Sequence, residues 1–294
     1  MNSLAQKLLS GKKTLTAEIT PPKGAGIKKL LSHAKLIQPF VDAINITDCQ
    51  RALVKMSSLA AAKVLLDHGH EPVYQLTCRD RNSIALQSDL MGAGALAIPN
   101  ILCLTGDPVK AGDNPGAKSV FEFESVKLLH LVQQLQNGRD GSGHKMNLAT
   151  KFFVGAVVNP TLLGNSGQWA RMEKKIEAGA KFFQTQANYD NDDFRNFLQE
   201  ARRLNTKVLA GILVLHSYEI ARYIHENIPG IRVPDAVLER FRTASNSESC
   251  GIDFAVEQML ALEDVADGFH VMTVREEELI PKVMETYYAR RKTS

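Results

Sequence analysis

The sequence predicts an α/β protein, a single (β/α)8 TIM barrel with extra helices, and three observations carry that prediction. Short β-rich runs recur eight times along the 294 residues, separated by longer stretches with helical patterning. Most of those runs are mainly apolar, as parallel strands covered on both faces require. The glycine-rich signatures of an open nucleotide-binding sheet are missing. The first run leads into Pro21-Pro22-Lys23-Gly24-Ala25-Gly26, whose prolines and absent third glycine do not fit the GxGxxG turn, and no Walker A sequence occurs.

The strand-like runs fall at residues 14–20, 43–48, 73–77, 101–105, 152–158, 182–187, 208–215 and 269–274. Helical stretches at 27–37, 56–68, 83–92, 125–136, 167–178 and 192–204 lie between them, and residues 228–261 add helical material before the last strand. Two segments interrupt the repeat. Residues 106–120 form a Gly/Pro/Asp-rich loop after strand 4, of a length that in a compact domain is usually functional. Residues 138–147 are also glycine-rich but precede strand 5 and belong to the opposite face. No linker divides the chain, so residues 1–294 are read as one barrel domain.

Composition narrows the function classes. With 44% hydrophobic and 23% charged residues, the chain can bury a sizeable core. A net charge of +3 with scattered Lys and Arg gives no electrostatic case for nucleic acid. No apolar run is long enough for a membrane span, and the polar start lacks a secretion signal, which together predict a cytoplasmic protein. Cys49, Cys78, Cys103 and Cys250 form no CxxC pair and read as reduced thiols. His68 and His70 lie between a helix and the following strand, on the barrel face associated with stability, and no metal site is assigned.

Active sites of such barrels gather at the C-terminal ends of the strands. Strand 1 carries Glu18. A carboxylate inside a closed barrel is costly to bury charged, so it is either ion-paired or an acid poised to donate a proton. Strand 2 ends Asn45-Ile46-Thr47-Asp48, and strand 3 ends Gln75-Leu76-Thr77-Cys78-Arg79-Asp80. Strand 4 ends Leu104-Thr105-Gly106-Asp107, where Gly106 lets a ligand approach the backbone and Asp107 opens the long loop. Strand 5 ends at Asn159-Pro160. Gln184 and Gln186 share one face of strand 6 with Asn188, and strand 7 runs into His216-Ser217-Tyr218. No lysine lies inside a strand core, which counts against a Schiff-base aldolase. Polar amides beside a buried acid suit a planar heterocyclic ligand.

These pieces resemble the methylenetetrahydrofolate reductase family over nearly the whole chain. The resemblance rests on Ala17-Glu18-Ile19-Thr20-Pro21-Pro22-Lys23, Gln75-Leu76-Thr77-Cys78, Leu104-Thr105-Gly106-Asp107, Lys174-Lys175-Ile176-Glu177-Ala178-Gly179-Ala180, Gln184-Thr185-Gln186 and Gly211-Ile212-Leu213, in that order and spacing. Residues 45–58 and the loop 112–118 resemble the short, catalytic-domain-only branch common in anaerobes. The resemblance implies flavin-dependent reduction of 5,10-methylenetetrahydrofolate to 5-methyltetrahydrofolate by hydride transfer from reduced flavin N5. Glu18 matches the general acid, and Asp107 the aspartate that contacts the pterin and tunes the flavin. Gln186 and Tyr218 match folate-binding positions. Thr47, Gln75, Gly106, Asp107, Phe121, Asn159 and Lys175 match flavin-contacting positions, Lys175 facing a phosphate. The family's Phe-Glu-Phe-Phe-Pro-Pro is here Ala17-Glu18-Ile19-Thr20-Pro21-Pro22, its Leu-Arg-Gly-Asp arginine is Thr105, and a flavin-binding aspartate is Gln168. These changes leave FAD and FMN both open. They leave the electron donor open too, between NAD(P)H and an iron–sulfur partner subunit in an oligomer or complex. The alternatives are a flavin-free nicotinamide-dependent reductase of the same fold, a non-catalytic barrel subunit of a redox complex, and an unrelated phosphate-binding barrel.

Overall fold

The structure is a computed structural model that describes residues 3–162, 166–274 and 276–291. All eight predicted runs become strands of one closed parallel barrel in sequence order: β1 (Thr14–Ile19), β2 (Ala43–Ile46), β3 (Pro72–Thr77), β4 (Asn100–Leu104), β5 (Phe153–Val158), β6 (Phe182–Ala187), β7 (Lys207–Leu213) and β8 (Gly268–Met272). Pairing of Thr14 with Gly268 through Ala17 with Val271 closes the ring. Several strands end earlier than their apolar patterning, because the chain lifts off the ladder at the mouth. β7, for instance, stops at Leu213; Val214 still donates to Met272 O of β8 at 2.9 Å, and Leu215 beyond it is buried. Lys207 opens β7 at the opposite end, with its ammonium on Asp267 at 2.9 Å.

The helices are α1 (Ser3–Leu9), α2 (Lys28–Ile37), α3 (Ser58–Asp67), α4 (Ser83–Ala95), α5 (Ser125–Gln136), α6 (Ser166–Glu177), α7 (Asn191–Arg202), α8 (Tyr218–Asn227), α9 (Asp235–Thr243), α10 (Ser247–Ala261) and α11 (Leu279–Arg291). Side-chain caps fix where several begin. Asn82 accepts from Ala85 N at 3.0 Å, Asp190 from Asp192 N and Asp193 N, and Ser217 from Ile220 N. Among the described residues no helix is long and apolar enough to cross a membrane.

Strand alternation divides the core in two. Outward-facing residues such as Leu15, Ala17, Ile44, Leu76, Ile101, Phe183 and Val271 pack under the helical ring. Inward-facing residues build layers inside the barrel. The lowest is apolar (Ala43, Val73, Leu102, Phe153, Phe182 and Leu209) and is floored by Leu4, Ala5 and Leu8 of α1. Gly155 belongs here for steric reasons, since a Cβ at this position would lie 2.4 Å from the Phe182 ring. The next layer is polar: Thr16, Asn45, Gln184 and His270, all buried and joined by hydrogen bonds. Above it the barrel opens.

Candidate active site

A cavity of about 380 Å³ lies at the C-terminal ends of the strands. Seven residues expected from sequence line it: Glu18, Gln75, Gly106, Asp107, Asn159, Lys175 and Gln186. Three do not. Thr47 is fully buried behind the wall, Phe121 is 37% exposed on the long loop, and Tyr218 begins α8 in a satellite apolar cluster.

Glu18 sits on β1 beside Asn45 of β2, one layer above the polar network. Its carboxylate accepts from Gln75 Nε2 at 3.0 Å and Gln50 Nε2 at 3.2 Å, and His270 Nε2 stands 3.8 Å away. Asp107 accepts from the Arg51 backbone N–H at 2.8 Å. This anchors a tight turn in which Cys49, Arg51 and Ala52 all take left-handed φ, at 46°, 55° and 55°. Arg51 hydrogen-bonds Tyr223 of α8 and lies 5.4 Å from its ring centroid, which ties the loop after β2 to a helix that follows β7.

Further ties order the rim. Asp48 accepts from Thr77 N (2.9 Å), Thr77 Oγ1 (2.8 Å) and Arg81 Nη1 (2.7 Å), and Arg81 also reaches Asp89. Asp113 of the long loop binds Lys23 at 2.6 Å and Val54 N at 3.0 Å, and the Lys23 ammonium holds its carboxyl well below the usual range. Gly112 lies so close to the loop after β2 that a Cβ there would fall 1.9 Å from Ala52 O.

Lys175 of α6 reaches the cavity wall buried, its ammonium donating to Val157 O at 2.6 Å. Burial, and to a lesser degree Arg171, pull its pKa down from 10.5 to about 8. Gly106 has φ +96°, and a Cβ would come within 3.1 Å of both Thr77 Cβ and Arg79 Cβ. Two buried polar atoms of cavity-lining residues have no protein partner: Arg79 Nη1 and Gln186 Oε1. Buried polar atoms are rarely left unpaired, so these are positions that a polar ligand would satisfy. A cationic wall, a glycine cradle and orphaned polar atoms fit a planar, phosphate-bearing cofactor.

Sequence reading placed Arg79 at the end of strand 3 without a role and missed His270, Arg171 and Gln50; all four line the cavity. For His270 the signal was available: a lone histidine in the middle of the apolar strand Gly268-Phe269-His270-Val271-Met272. Asn188 does not share a face with Gln184 and Gln186. A register irregularity between Gln184 and Ala187 breaks the alternation, and Asn188 instead binds Asp193 and accepts at its carbonyl from Gln258. Among the described residues, His33, Glu277 and Glu278 lie close enough to hold a metal ion, at a place the sequence did not indicate.

The sequence profile of the family described as "Methylenetetrahydrofolate reductase" matches residues 3–287. Methylenetetrahydrofolate reductase 2 of Schizosaccharomyces pombe is 24% identical over 96% of this chain and 46% of its own length. The probable methylenetetrahydrofolate reductase (NADPH) of Caenorhabditis elegans is 21% identical over 79% of this chain and 34% of its own. The chain thus spans less than half the length of these curated relatives. Among solved structures, an uncharacterized Clostridium thermocellum protein that binds two copies of 5-methyl-5,6,7,8-tetrahydrofolic acid has a TM-score of 0.70 at 16% identity, covering 97% of this chain and 99% of that one. A 2,3-dimethylmalate lyase has a TM-score of 0.51 at 12% identity, covering 99% of this chain and 87% of that one. Both likenesses bear on the fold.

Proposed function

The chain belongs to the methylenetetrahydrofolate reductase family, and we propose that it catalyses flavin-dependent reduction of 5,10-methylenetetrahydrofolate to 5-methyltetrahydrofolate, with Glu18 as general acid. The observation that carries this reading is the convergence of Glu18, Asp107 and Gln186 on one cavity at the barrel mouth. A bound flavin, FAD or FMN, supplies the hydride chemistry at its N5.

The chain's own residues do the rest. Lys175 would hold the anionic end of the cofactor with a buried cation, where a charge-assisted bond is strongest. Gly106 would give the ring close access to the backbone, and Gln75 and Asn159 would lie beside it; Thr47 and Phe121, outside the cavity lining, would meet it only after a local rearrangement. Gln186 would hold the pterin substrate from the cavity wall, and Tyr218, outside the lining, would have to swing in to share that role. Asp107 contacts the pterin through the carboxylate that otherwise anchors Arg51 N. Glu18 gives a proton to N10 of the substrate. The N10–methylene bond breaks as the methylene–N5 bond becomes an iminium, and the methylene carbon is then open to hydride. The electron donor is NAD(P)H or an iron–sulfur partner subunit within an oligomer or complex. The four free cysteines suit a reducing, cytoplasmic setting.

An anaerobic absorption spectrum before and after adding 5-methyltetrahydrofolate tests the proposal. Flavin bands near ~450 nm that bleach on addition support both cofactor and substrate, because the reverse half-reaction needs no other partner. Bands that persist unbleached refute the folate assignment, and failure to bind either flavin refutes the cofactor.

A further inference from the structure

We propose that His270 is a positioning residue for Glu18: its Nε2–H holds the Glu18 carboxyl in the orientation from which it gives up its proton. The inference deepens the folate-reductase reading and rests on Glu18 acting as the acid.

The argument starts inside the barrel. His270 points inward from the middle of β8, 2% exposed, and its ring lines the cavity. Its two nitrogens face different surroundings. Nδ1 lies 2.9 Å from Thr16 Oγ1 and 3.5 Å from Gln184 Nε2, and Nε2 faces Glu18 Oε2 at 3.8 Å. Gln184 is held by a reciprocal amide pair: Asn45 Nδ2 donates to Gln184 Oε1 at 2.7 Å, and Gln184 Nε2 donates to Asn45 Oδ1 at 3.1 Å. The remaining hydrogen on Gln184 Nε2 goes to Thr16 Oγ1 at 3.2 Å. The Thr16 hydroxyl, already accepting, has its own hydrogen left for Nδ1. Both Gln184 hydrogens are spent on Asn45 and Thr16, so the arrangement that uses every hydrogen has Nδ1 accepting from the Thr16 hydroxyl and the ring proton on Nε2. That proton points at Glu18. The 3.8 Å separation is under 1 Å longer than a direct hydrogen bond, a gap that catalytic contacts commonly close when substrate binds.

The layer has a physical oddity that this role explains. Apolar residues fill the layer below, and apolar residues here would avoid the cost of burying four polar groups. The chain instead brings Thr16, Asn45, Gln184 and His270 from four strands into one hydrogen-bonded unit. Of the four, His270 is the one whose second polar nitrogen faces the Glu18 carboxyl.

The test compares His270→Phe, which keeps bulk, with His270→Gln, which keeps an N–H donor, and with Thr16→Val, which leaves the histidine but removes the group that sets its tautomer. Three quantities are read: flavin content, the rate of flavin reduction by dithionite, and the anaerobic rate of flavin bleaching by 5-methyltetrahydrofolate. The folate-dependent rate is expected to fall about 10- to 100-fold in His270→Phe, the size of one hydrogen bond to a charged group. His270→Gln should recover most of that loss, Thr16→Val should lose about 5-fold or more, and the other two readouts should stay level. A merely structural histidine would not be rescued by glutamine in the folate rate alone. In a Glu18→Gln background, His270→Phe should cost nothing further, because its effect runs through Glu18. Losses that multiply in the double variant overturn the inference, as does a folate rate unchanged in His270→Phe or, if that variant does not fold, in Thr16→Val. A Glu18→Gln protein that retains the folate rate removes the Glu18 assignment itself, a separate result from the failure of His270.

Discussion

Replacing Lys175 with methionine should stabilise the flavin-free protein and weaken its hold on flavin. The side chain lies buried against the cavity wall with one neutral partner, Val157 O at 2.6 Å. Its pKa falls from 10.5 to about 8, which at about 1.4 kcal/mol per unit is a penalty of about 3 kcal/mol on the charged form at neutral pH. Methionine fills nearly the same space without the charge and gives up one hydrogen bond worth about 1 kcal/mol. The variant should therefore gain about 2 kcal/mol in urea unfolding at pH 7. The sign with pH follows from a cation depressed in the folded state. Its penalty is complete below pH 8, shrinks as pH rises from about 8 towards 10.5, and vanishes above. The stability gap between parent and variant should close over that window. Flavin titration should show the opposite effect, a 10- to 100-fold weaker Kd from losing a charge-assisted phosphate contact. A variant no more stable than its parent, with an unchanged Kd, would refute the reading of Lys175 as a strained cation held for an anion.

Other perturbations separate the parts of the site. Glu18→Gln should keep flavin content and flavin reduction while slowing the folate half-reaction by about 10²–10⁴-fold, the span of general acid catalysis, as stopped-flow absorbance would measure. Gly106→Ala forces a Cβ onto a backbone at φ +96° and within 3.1 Å of Thr77 and Arg79, so flavin affinity should drop and stability should fall by about 1–3 kcal/mol in thermal unfolding. Asp48→Ala strips the buried anion from Arg81 and Thr77 and should cost about 3–5 kcal/mol in denaturant titration. Gly112→Ala, whose methyl would collide with Ala52 O, should loosen the turn after β2, seen as faster limited proteolysis there with the core intact.

The barrel was legible because parallel strands under a helical ring leave an apolar signature in the chain, and all eight runs carry it. The elements that escaped carry weaker patterns. α1 buries only Leu4, Ala5 and Leu8, too few apolar positions to stand out from a polar start. The basic end Arg290-Arg291 reads as a solvated tail, yet those residues form the last turn of α11 and pair with Asp253 of α10 and with Glu263 in the turn after it, while Lys292 lies outside the described residues. Glu18, Gln75 and Gly106 could be placed at the mouth because each ends or follows a strand whose parity is readable. Phe121 and Tyr218 could not, because they lie on a loop and a helix start whose positions depend on tertiary packing. His270 was invisible for another reason. Its significance comes from Thr16, Asn45 and Gln184, which stand 254, 225 and 86 residues away along the chain, and only ring closure brings them together.

The short helix under the barrel bears on traffic. Among the described residues, Leu4 and Leu8 lie fully buried beneath the lowest apolar layer, and the cavity that holds Glu18 lies at the opposite end, at the mouth. Under the proposed function, two reactants that use the wall beside Asp107 and Gln186 would meet it through that mouth in turn, and the residence of one would set the wait of the next.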